Sequence, residues 1–433
     1  MIGVRKQVFS PKGSLTRVAC DFSGEGACAE GLLVENGSLV KTAGETIYCG
    51  GAGEFSFPED CAPERLYFLR TSAGMCAAAY AAGKLYFCAG DGGTFSDTGL
   101  TFSAPPSAAR LYDGEEALVL SDGENVCLVK SGGAVVCTDI PAFSCAGYAY
   151  DRLWTAGTEN GVPRVRFSAL LDAHDFEEEG GYIDLPDERG EILAFAETEG
   201  AFFLVREFGV QKLTVAGEED GFALTDIDAP FAKICRGSVC GENGEIFFLA
   251  DGMLYRLDAG GAEAFYPAYA GVFSGGCCAA AACGGKVYFC GDTEDGAVTA
   301  VFAEDGSGAL FMKGRRTALS RMPSPAGAIA CFYADGGVRA LRGTGDVPGR
   351  WYGRVLPPFD GAPAILEEIA LTASGEFTVT AESEWGSRTF DVCLTGETKK
   401  MRTSLRGTRF RFCIVARKEG RVEALTAGYS RAC

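Results

Sequence analysis

The chain has a single histidine, His174, and it stands between two carboxylates in Leu171-Asp-Ala-His-Asp-Phe. An imidazole flanked by Asp172 and Asp175 has the parts of a general acid/base or of a metal ligand set, since a carboxylate can fix the tautomer that the ring presents. A hydrolase built on it also needs a nucleophile, and the chain has no Gly-x-Ser-x-Gly elbow. The same residue types equally describe a solvated loop, and that is the reading the missing partners favour. Further carboxylates occur as Glu177-Glu178-Glu179 and Glu218-Glu219-Asp220. Calcium loops alternate oxygen ligands around a tight Gly turn, and these runs do not.

There are 19 cysteines, yet no CxxC pair. Structural zinc needs closely spaced Cys or Cys/His pairs, which argues against zinc. Most cysteines lie in apolar runs such as Cys76-Ala-Ala-Ala and Tyr288-Phe289-Cys290, where a free thiol acts as a small hydrophobe. No GxxxxGK[ST] phosphate loop is present. The expectation is a chain without catalytic residues, metal or cofactor.

The net charge of −19 argues against nucleic acid or an anionic membrane meeting the bulk of the surface. Residues 386–433 depart from it with 11 basic and 4 acidic residues. Their +7, taken from −19, leaves −26 on the rest. Arg402, Arg406, Arg409 and Arg411 are the core of this basic concentration, and an acidic protein surface fits it better than DNA because aromatic residues are sparse among them. Asp172, His174, Asp175 and these four arginines form the candidate interaction surface. Direct contact with nucleic acid is expected only through the basic C-terminal segment.

The first residues, MIGVRKQVFSPKG, lack the apolar core of a signal peptide. No window approaches the roughly 20 apolar residues that cross a bilayer. The expected setting is cytoplasmic synthesis with no membrane partner.

The elements that carry these residues are strands. Residues 164–215 alternate apolar and polar positions in runs of strand length, split by Gly, Asp and Pro. A hairpin of a small-residue strand followed by a bulkier one recurs, with first strands starting at 76, 116, 145, 192, 235, 277 and 329. The spacings are 40, 29, 47, 43, 42 and 52 residues. Periods of roughly 40–50 residues built from strands define the blades of a β-propeller. The count is seven, with six or eight left open by the short spacing. Ala-, Gly- and Cys-rich strands suit the crowded centre of a ring. Residues 31–50, with the Asn36-Gly37 turn, are expected to complete the last blade and so remove exposed edges.

After residue 350 the pattern changes. Six short alternating strands between 368 and 426 predict a small β-sandwich. The expected organisation is therefore all-β, with a propeller over residues 1–350 and a sandwich over 351–433. Alternation places Arg409 and Arg411 opposite Phe410 and Phe412.

Three stretches resemble phage and prophage structural proteins of the tail and head–tail connector. They are RVRFSALLDAHDF with GGYIDLP, EILAFAETEGAFFLVREFGVQKLT, and, toward the end, IALTASGEFTVT with LRGTRFRF. The resemblance covers roughly residues 145–260 and 350–433. It implies a non-catalytic virion component, comparable to the propeller-bearing plug proteins that seal packaged DNA, with other virion proteins as partners. The alternative is a carbohydrate-binding or glycoside-hydrolysing propeller. Asp97-Thr-Gly-Leu-Thr-Phe102 is similar to the Asp-box turn of sialidase-like propellers. That turn is a folding device, and three Trp offer little to stack on sugars.

Overall fold

The computed structural model describes most of residues 63–432 and separate strands between residues 16 and 58. Residues 1–15 lie outside the described residues, as do short stretches including 216–220, 323–327, 334–337 and 342–348. The described residues contain no α-helix, only a single 3-10 turn at Pro267–Tyr269. The chain divides into two compact units: Ile47–Thr299 with Lys313–Leu341, and Met1–Thr46 with Ala300–Met312 and Arg342–Cys433.

The described residues form seven four-stranded sheets, six of them built from strands consecutive or nearly so in sequence. Their first strands begin at Arg65, Ser107, Cys145, Ile192, Cys240, Cys277 and Arg316. These starts are between 37 residues (240 to 277) and 48 residues (192 to 240) apart. The first strands pack on one another in sequence, from Ser107–Tyr112 on Cys145–Ala149 through to Arg316–Met322 on Arg65–Thr71. Arg65–Thr71 then meets Glu116–Ser121 of the second sheet, so the cycle closes. The fold is a β-propeller.

The strand count explains the uneven spacing in the sequence. The hairpins starting at 76, 116 and 329 pair the second and third strands of their sheets, whereas those at 145, 192 and 277 pair the first and second. The predicted strand over residues 235–239 is a loop, and the first strand of that sheet is Cys240–Glu242.

Side chains from adjacent sheets interlock between them. Trp154, Val165 and Phe167 of the third sheet pack on Phe202, Leu204 and Leu213 of the fourth. Phe203, Val205 and Val210 on the other face of the fourth reach Ile246, Phe248 and Tyr255 of the fifth. A strand covered on both faces has no polar side to show, so Ala201–Arg206 is buried throughout and residues 201–205 read as a continuous apolar run. Burying each such aromatic side chain contributes about 1.5–3 kcal/mol. Cysteines join these cores: burial pushes the thiols of Cys127 and Cys145 up to about 12.

The residues expected to close the last blade are shared out. Glu45–Ile47 is the outer strand of the seventh sheet. Ser38–Val40 instead pairs with Arg421 and Val422, and Thr16–Ala19 pairs with residues 426–429.

The six short strands predicted at the C-terminus are three long ones: Ala364–Ser383, Gly386–Gly407 and Phe410–Arg431. Each bends instead of turning. The register of the first strand shifts at Thr372/Ser374 against the second and at Gly375/Phe377 against the third, and Gly375 and Gly396 take φ of 119° and 111°. Bulges with glycine let one strand change direction without ending its ladder. One buried cluster serves both halves of each strand, with Leu366, Leu371, Phe377, Val379, Val392, Met401, Phe410, Ile414, Leu425 and Tyr429 among its members. The sandwich is thus one sheet folded over its own apolar face.

Candidate functional site

The loop that carries His174 follows the strand Val162–Phe167 and is built by its own carboxylates. Asp172 Oδ1 accepts the amide N–H of His174 at 2.9 Å. Asp175 accepts the amides of Glu177, Glu178 and Glu179 at 3.0, 2.9 and 3.3 Å, and these bonds, Glu178's first, hold its carboxyl below the usual range. Both aspartates are therefore turn residues. The imidazole is turned to two carboxylates distant in sequence, with Nε2 3.5 Å from Asp113 Oδ2 and Nδ1 3.9 Å from Asp139 Oδ2. Asp113 is in turn lowered first by Lys130, 2.6 Å away, while burial opposes ionisation. Ala173 and Phe176 anchor the loop in the apolar core. Among the described residues no group of three His, Cys, Asp or Glu could hold a metal ion.

The four arginines divide. Arg402 and Arg406 are exposed on the second long strand, where Arg402 stands opposite Glu368 and Arg406 opposite Ile365. Arg409 and Arg411 line a shallow hollow of about 570 Å³ with Val355, Glu382, Glu384 and Phe410. Arg411 donates from Nε to the Gly353 carbonyl at 3.1 Å and lies over the Tyr352 ring. Phe410 and Phe412 are buried, and Arg409 is exposed beside them.

The arrangement richest in chemistry is one that the sequence did not single out. A cleft of about 510 Å³ is lined by Glu159, Arg164, Arg166, Glu191 and Arg236, together with Gly123 and residues 141–144. Arg164 and Arg166 alternate along the strand Val162–Phe167, so both face the same way. Arg164 binds Asp184 on the next strand through Nε at 2.6 Å and Nη2 at 3.1 Å, bonds Glu159 through Nη1, and stacks over Tyr182 at 4.1 Å. This fork holds the Asp184 carboxyl below its ordinary value. Arg166 reaches the other oxygen of Glu159 through Nε and Nη2. On the opposite wall Arg236 pairs with Glu191. Neither Trp nor Tyr lines the cleft, and both of its carboxylates are already held by guanidinium groups. That leaves no free acid/base pair and no platform for a sugar ring.

The Arg164–Asp184 contact was within reach of the sequence, since the two strands are neighbours with Arg164 opposite Asp184. Glu191 and Arg236 lie just before the first strands of the fourth and fifth sheets and meet the cleft because successive first strands pack together.

No family model and no curated protein matches the chain. Among solved structures it is similar to the extracellular domain of the hybrid two-component system BT4673 from B. thetaiotaomicron, at 12% identity and a TM-score of 0.47, over 70% of this chain and 40% of that one. It is also similar to the WD40 β-propeller domain of Doa1 (9%, TM-score 0.43, 69% and 96% of the two chains). YCF48 bound to D1 peptide matches at 10%, with a TM-score of 0.42, over 66% and 93%. The chain spans less than half the length of the BT4673 structure. The class, a β-propeller with an added folded β-sheet unit, stands on the sheet order itself.

Proposed function

We propose that the chain is a non-catalytic interaction protein, a rigid propeller that presents charged surface to protein partners as a component of a phage or prophage particle. The observation that supports the absence of catalysis is the state of the cleft: Glu159 and Glu191 are each paired with arginine, which leaves no unpaired carboxylate in its lining. A fold of this kind hosts many activities, so the role rests on the site and not on the ring. The particle setting rests on the resemblance of residues 164–215 and of the C-terminal strands to tail and connector proteins. The partners are other virion proteins, with the basic C-terminal segment docking on an acidic surface. No helix of the described residues is long and apolar enough to cross a membrane.

The test is mass spectrometry of density-purified particles released by prophage induction of the encoding strain. The chain should band with portal and tail proteins at a fixed ratio. Its absence from particles that contain those proteins would overturn the particle setting, and turnover of any substrate in a panel of chromogenic glycosides would overturn the non-catalytic role.

A further inference from the structure

We infer that the arginine cleft of the propeller is a receptor site for a carboxylate, carried by an acidic peptide segment or by a free organic acid. The inference rests on the interaction role proposed above and names the chemistry its partner must present.

Arg164, Arg166 and Arg236 line the cleft with Glu159 and Glu191, and Asp184 offsets Arg164 from the next strand, so the formal charges balance and the guanidinium donors outnumber the bonds they make. The three are not equivalent. Arg164 is saturated by Glu159 and Asp184 and clamped on Tyr182, so it forms wall. Arg166 spends Nε and Nη2 on one oxygen of Glu159, and its Nη1 bonds nothing among the described residues. Arg236 uses only Nη2, and its Nε and Nη1 have no partner among the described residues.

The Arg236–Glu191 pair is 70% and 57% exposed. Exposed pairs are worth roughly 0–1 kcal/mol, so an incoming carboxylate can take the place of Glu191 at small cost. The fork of Arg236 then offers two parallel N–H donors, the geometry that a planar carboxylate matches. Arg166, which lines the same cleft, supplies a further donor. The volume, about 510 Å³, suits one or two acidic side chains or a small organic acid. A polyanion such as DNA gains from many phosphate contacts along a basic track, and only three arginines line this cleft.

The experiment is fluorescence anisotropy of the full chain with a labelled Gly-Glu-Glu-Gly-Glu-Glu peptide, its Gln counterpart, and citrate as competitor. The Glu peptide should bind at least tenfold more tightly than the Gln peptide. Arg236→Gln should weaken it at least tenfold without moving the melting temperature, because that side chain is exposed, and Arg70→Gln, elsewhere on the ring, should not. Citrate binding seen by titration calorimetry and lost in Arg236→Gln, without peptide binding, supports the site with a small acid as its source. Equal binding of the two peptides with no citrate binding overturns the inference. So does unchanged affinity in Arg236→Gln, and so does a DNA oligonucleotide whose binding that variant abolishes. Presence or absence in particles is read separately, so either reading can fail alone.

Discussion

Phe410 and Tyr429 stand at opposite ends of one strand, yet their ring centroids are 5.0 Å apart. From position 410 to 429 an extended strand would run about 60 Å at roughly 3.3 Å per residue. The strand must therefore fold back on itself, and this aromatic contact is where the fold closes. Nearby bonds have the same effect: Leu356 and Phe410 exchange backbone bonds at 2.7 and 2.9 Å, and Ala432 donates to the Pro363 carbonyl at 3.0 Å.

Removing one ring should open that closure. Phe410→Ala, at a fully buried position, is expected to cost about 3–5 kcal/mol. Urea unfolding of the single variants and of the double variant with Tyr429→Ala should show a coupling of about 0.5–1.5 kcal/mol. Additivity of the two losses would mean that the contact does not close the sheet.

The ring centre makes a second test. Gly147 lies in the first strand of the third sheet, and a Cβ there would sit 2.7 Å from Cβ of Phe195 and 3.2 Å from the ring of Phe202. Those two rings are stacked at 5.3 Å with 1° between their planes, so neither can move without the other. Gly147→Ala should destabilise the propeller by about 1–3 kcal/mol through overpacking. Calorimetry of the variant measures it. An unchanged melting temperature would show that the first strands have room for larger side chains.

How far these features were legible depends on the range of the contact. The alternation Thr408-Arg-Phe-Arg-Phe412 placed Phe410 and Phe412 inside from sequence alone, because period two is a local property. The repeat was legible too, since each sheet brings its own turns. Its phase was not: a small-residue strand such as Cys76-Ala-Ala-Ala reads as innermost, and only pairing shows that Arg65–Thr71 lies inside it. The six short strands expected at the C-terminus are three long ones, because Gly375 and Gly396 are bends within strands. The approach of Arg236 to the cleft depends on three successive sheets packing first strand to first strand, which no short window of sequence contains.

A buried cation tests the fourth sheet. The Arg206 side chain has no exposed surface and binds Asp187 Oδ1 at 2.6 Å and the Gly190 carbonyl at 2.7 Å, with Gln211 Oε1 at 3.4 Å. Burial lowers its pKa, opposed by Asp187. Asp187 is itself 37% exposed. The two halves of the pair are therefore unequal. Asp187→Asn strands a buried charge and should cost about 3–5 kcal/mol, whereas Arg206→Met leaves a carboxylate that water can reach and should cost less. Denaturant melts of both variants decide it, and a larger loss in Arg206→Met would contradict the asymmetry.

The last prediction is a pH dependence in the C-terminal unit. Burial raises the Glu384 carboxyl, but the amides of Thr408 and Arg409, donating at 2.5 and 3.3 Å, together with the Thr408 hydroxyl, overcome it and bring the value from 4.5 down to about 2. The ionised carboxylate thus ties the turn at 383–386 to the turn at 407–409. A pKa depressed by folding gives stability that is complete above the unfolded value and is lost as the folded value is crossed downward. Stability of this unit should accordingly fall as pH drops from about 4.5 toward 2. Glu384→Gln cannot titrate, so its stability curve should be flatter over that interval and lower than wild type at pH 6. Parallel curves for the two proteins between pH 6 and 2 would show that the carboxylate contributes nothing to holding the two turns together.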